Sequence, residues 1–83
     1  MTLQRSDQIR AFAEARARLN AELDALRVQV DRWLEENGGS GPSMIEIANL
    51  SAILEKRRDR LAELAALDDS FIKQLLQMNS SKS

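Results

Sequence analysis

Apolar residues recur every three or four positions in two stretches of this chain, separated by a short glycine-rich segment. That spacing constrains the fold more than any other feature. In the first stretch Ile9, Phe12, Leu19, Leu23, Leu26, Val30 and Trp33 follow it, with Arg16 as the one interruption. In the second, Ile47, Leu50, Leu54, Leu61, Leu64, Phe71, Leu75 and Met78 do the same, interrupted by Arg57 and Asp68. Such alternation belongs to α-helices that pack along a seam. Folding the chain at Ser40 pairs 33 with 47, 30 with 50, 26 with 54, 23 with 57, 19 with 61, 16 with 64, 12 with 68 and 9 with 71. Each pair joins an a position to a d position, as antiparallel helices require. The sequence predicts an all-α fold, an antiparallel two-helix coiled-coil hairpin that dimerises into a four-helix bundle.

Local signals place the elements within a single domain over 1–83. Helix 1 is expected over about 2–37, the loop over 38–43, helix 2 over about 44–78, and a disordered polar tail over 79–83. Ser6 offers an N-cap, with Asp7 placed well for the helix dipole. Asn37-Gly38-Gly39 offers residues able to take the left-handed conformation at a helix C-terminus. Ser43-Met44-Ile45-Glu46 reads as a capping box, and Pro42 stops extension toward the loop. The mirrored register favours a native tight connection at Gly38–Pro42 over an engineered linker, because an arbitrary fusion would not pair every layer. Asp68-Asp69-Ser70 is a soft spot, with three residues that favour caps over helix interiors. The heptad runs through it unbroken and favours a continuous helix.

Composition narrows what such a hairpin can do. A chain of 83 residues buries only about 60% of its unfolded surface, so its own core is marginal and a staple is needed. Cysteine and histidine are both absent, which removes disulfides, thiolate metal sites and the commonest general base. Oligomerisation or a partner protein is the remaining staple. With 12 basic and 13 acidic residues the formal charge is −1, which argues against nucleic acid as the main ligand. The basic cluster Lys56-Arg57-Arg58-Asp59-Arg60 is interleaved with Glu55, Asp59 and Glu63, and Glu22 falls opposite Arg60. It therefore reads as a salt-bridged, solvated face, with no aromatic residue nearby to stack a base. No apolar run reaches the ~20 residues of a membrane span, and the first ten residues lack the apolar core of a signal peptide. A cytoplasmic protein without membrane association is expected.

Catalytic constellations are missing from the sequence. The segment GGSGP lacks the lysine and the preceding strand of a phosphate-binding loop. Adjacent Asp68 and Asp69 diverge by about 100° on a helix and have no further acidic pair to complete an oxygen cage. No enzyme, metal or cofactor is expected.

Surplus apolar surface points instead to a protein partner. Ala13, Ala17, Ala62 and Ala65 are small residues on one flank, where another helix could approach closely. Phe71, Ile72, Leu75 and Leu76 supply apolar area at the open end, and Ile53 and Leu67 supply more on the other flank. Leaving four such side chains exposed would forgo on the order of 6–12 kcal/mol of burial. The polar layers at Arg16, Arg57 and Asp68 fix register, or form ion pairs across a contact. Trp33 and Met44 cap the closed end and could anchor a partner there. The expected function is a non-enzymatic interaction module, a homodimer that binds and regulates or escorts another protein. A dimeric nucleic-acid-associated regulator and a structural assembly subunit are the rival readings.

Overall fold

The computed structural model describes residues 5–39 and 41–82. Two helices, α1 (Arg5–Asn37) and α2 (Met44–Lys82), pack against each other as an antiparallel hairpin. The start expected at residue 2 and the fold point Ser40 lie outside the described residues. Ser6 lies within α1, which is already helical at Arg5, and is not its cap. At the other end α2 continues through Lys82, so the helix takes in Asn79 to Lys82, where an unstructured tail was expected. It also passes Asp68-Asp69-Ser70 without a break. The i,i+4 pair of Asp69 Oδ2 with Lys73 Nζ, at 3.0 Å, supports that turn from outside.

The connection is built as the capping box requires. Glu46 N donates to Ser43 Oγ at 3.2 Å, and Ser43 N donates to Glu46 Oε1 at 2.7 Å. Two amides that helix geometry leaves unpaired are thereby satisfied. Termination of α1 differs from the expected left-handed cap, because no described glycine has positive φ. Instead Asn37 Nδ2 donates to the Trp33 carbonyl at 2.9 Å, and Gly38 approaches the carbonyl of Leu34 closely. A side chain at residue 38 would place its Cβ 2.8 Å from that oxygen. Only glycine fits there.

Four contacts set the register. Trp33 Nε1 donates to the Glu46 carbonyl at 2.8 Å, which pins the closed end. Further along, Arg60 Nη1 meets Glu22 Oε1 at 3.5 Å. Arg16 grips Asp68 through Nε at 3.0 Å and Nη2 at 3.4 Å. Near the open end the rings of Phe12 and Phe71 stack with centroids 4.0 Å apart and planes 6° apart. The expected layers Phe12/Asp68 and Arg16/Leu64 are therefore replaced by Phe12/Phe71 and Arg16/Asp68. The physical reason is plain: this pairing joins two aromatic rings and two opposite charges, whereas the other sets a charge against an apolar side chain twice.

The resulting body is thin. It measures 63 × 17 × 16 Å, with a radius of gyration of 18.9 Å against about 12 Å for a compact chain of this length. Among the described residues Leu26 alone is buried, at 8% exposure. Two helices touching along one seam leave every other face to solvent.

Candidate functional site

Both helices are rolled relative to the expected seam. On α2 the half-buried positions are Glu46, Leu50, Ile53, Arg60, Leu64, Leu67, Asp68, Phe71, Leu75 and Met78. Ile53, Arg60 and Leu67 thus take places assigned to Leu54, Arg57 and Leu61. On α1, Gln8 is half-buried and Ile9 is exposed. The cause lies in the width of α2's apolar arc. At about 100° per residue, that arc sweeps from Leu67 through the seam to Ile47 and Leu76, roughly half the helix circumference. One neighbouring helix cannot cover so much, and the roll that seats Ile53 and Leu67 leaves the opposite edge open.

What is left open is a continuous row. Ile47, Leu54, Leu61, Ala65, Ile72 and Leu76 fall within a narrow sector of α2 and extend over about 43 Å of its length. Ile47 is 46% exposed, Leu54 and Leu61 are each 41% exposed, and Ile72 and Leu76 are more exposed still. A shallow groove of 380 Å³ follows the row at Ile47, Leu50, Ser51, Leu54, Glu55 and Arg58. Helical spacing puts Ile9 and Leu34 of α1 on this same flank, one toward each end, and both are exposed. The two-toothed Arg16–Asp68 pair sits at the border between seam and row. Its side chains are 43% and 40% exposed, so water screens it and its main effect is on register.

The residues singled out from the sequence divide accordingly. Ala13, Ala65, Ile72 and Leu76 lie on the open flank, with Ala62 beside the row. Ala17 lies on the far side of α1 and does not join them. Phe71 and Leu75 are half-buried in the seam, where Phe71 is already stacked on Phe12. Arg57 is exposed, its charged head in water rather than in a layer. Trp33 is committed to the Glu46 carbonyl, whereas Met44 is 80% exposed beside Ile45 at the turn. Ile47, Leu54 and Leu61 are the interface candidates that heptad reading assigned to the seam instead. Arg58, read as part of a basic cluster, lies within the row. The detectable signal was the surplus of apolar positions on both sides of the α2 seam.

The opposite flank carries charge at its middle, beside a shallow groove of 530 Å³ that Ala15, Leu19, Ala66 and Leu67 help to line. Arg60 Nη1 bridges Glu22 and Glu63, at 3.5 and 2.9 Å. Asp68 and Asp69 turn to Arg16 and Lys73 respectively. Among the described residues no three carboxylates are placed to hold a metal ion. No described helix is long and apolar enough to cross a membrane. Compared with protein-family models, with curated proteins and with solved structures, the chain matches none.

Proposed function

We propose that this hairpin is a protein–protein interaction module without catalytic activity. It binds and regulates, or escorts, a protein partner by completing a four-helix bundle on the open flank. The observation that carries this reading is the apolar row from Ile47 to Leu76 beside a seam in which, among the described residues, a single side chain is buried. A hairpin so thin gains stability by covering that row, and contiguous exposed apolar surface of this kind marks interfaces. The basic residues support the same reading over nucleic-acid binding. Lys56, Arg57, Arg58 and Arg60 are spread around α2, and Arg60 is held between two glutamates, so no single face presents them.

The test is site-specific photo-crosslinking in living cells. A benzophenone side chain at Leu54 on the row is compared with one at Lys56 on the far side of the same helix. Protein adducts, to this chain or another, are expected from residue 54 and not from residue 56. Equal or absent crosslinking from both would refute an interaction face at the row.

A further inference from the structure

Resting on the reading of the open flank as a bundle-completing surface, we propose that its occupant is a second copy of this chain. The two α2 helices pack antiparallel about a twofold axis level with residue 63. The order of side chains along the row argues for this pairing. Reversed about residue 63, Leu54 meets Ile72, Leu61 meets Ala65, and Arg58 comes level with Asp68 and Asp69. Residue 63 is also the midpoint of Met44–Lys82, so the two helices overlap along their whole length. Self-complementarity of this sort is what an isologous interface demands. Near the axis a large residue lies opposite a small one, which lets the backbones approach and the side chains interdigitate.

Charge decides the direction. A parallel pairing in register would set Arg58 against Arg58 and Asp68 against Asp68. The antiparallel one sets each arginine against the carboxylate of Asp69, which lies on the same edge of the row, twice per dimer. Among the described residues Arg58 has no ion pair within its own chain, although its neighbour Arg60 has two. Asp69 meets Lys73 through one oxygen and retains lone pairs for a guanidinium. Surface area agrees as well. The chain exposes 6548 Å², about 1500 Å² more than the ~5000 Å² of a compact protein of 9.3 kDa. A dimer interface of ordinary size removes about 800 Å² from each partner.

Light scattering over a concentration series, with circular dichroism to check helicity, tests the occupant. The wild-type chain is expected to show the mass of two copies. Leu54→Asp and Arg58→Asp should each raise the dissociation constant at least about tenfold without loss of helix. Pulsed dipolar spectroscopy then tests direction, using single spin labels at Ala48→Cys or Ala66→Cys in this cysteine-free chain. The axial separation should be about 45 Å at residue 48 and about 9 Å at residue 66. These labels leave the row intact, so they report even if an aspartate variant fails to fold. A monomer at every concentration, a dimer indifferent to Arg58→Asp, or short distances at both labels would overturn the self-pairing. If the dimer is absent while Leu54 still crosslinks to a different protein, the interaction reading stands and only the second-copy proposal falls.

Discussion

Single residues hold this hairpin in register because there is so little core to do it. Trp33 spans the closed end, with its ring half-buried and its indole N–H satisfied by the Glu46 carbonyl. Phe12 and Phe71 do the equivalent near the open end by stacking. Between them the ion pairs of Arg16 and Arg60 lie on opposite flanks and resist rolling in either direction. Gly38 is the most constrained position of the connection. Replacing it with alanine forces Cβ against the Leu34 carbonyl, so Gly38→Ala should lower stability by about 1 kcal/mol or more. Gly39→Ala and Gly41→Ala meet nothing within 4 Å and should be neutral or mildly stabilising. Urea midpoints of the three variants check this contrast; equal midpoints would show that the close approach at residue 38 has no energetic consequence.

At the scale of elements, α1 and α2 are unequal partners. α1 carries one apolar stripe and covers it against α2 except at Ile9, which stays exposed. α2 carries an arc wide enough for two neighbours, and it begins at the best-defined cap in the molecule. Removing one side of the reciprocal pair, as in Ser43→Ala, should cost about 1 kcal/mol. Glu46→Ala should cost a similar amount. Their combination should cost less than the two separately, since both disrupt one motif. Thermal melts of the two single variants and the double variant measure the coupling, and strict additivity would mean that the two hydrogen bonds act independently.

For the molecule as a whole, the dominant fact is that one side chain among the described residues is buried, in a body 63 Å long. Stability should then depend on what covers the open flank. If a second copy does so, the melting temperature must rise with protein concentration, because association favours the folded state by mass action. Melts over a hundredfold concentration range are expected to shift upward by several degrees. A concentration-independent midpoint would mean that the hairpin is held by its seam alone.

Much of the fold was legible in the sequence. Heptad spacing, the capping box at Ser43 and Glu46 and the glycine-rich break are local patterns that two packed helices and a tight turn satisfy directly. The end of α2 was not legible, because Asn79 to Ser81 are weak helix formers and composition suggested a tail where the helix continues to Lys82. The site was legible only in outline. Surplus apolar surface was evident from the excess of Ala, Ile and Leu around α2, and Ala65, Ile72 and Leu76, singled out on that ground, lie on the open flank. Ile47, Leu54 and Leu61 were hidden because a 3.5-residue repeat and a wide apolar arc give the same spacing along one strip. The sequence determined by itself that two helices form, where they turn and that both have apolar stripes. Only the tertiary structure decided which edge of the α2 arc is covered and which stays open. That choice depends on how two whole surfaces mesh, with Phe12 stacked on Phe71 and Arg16 gripping Asp68, and no local spacing rule encodes it.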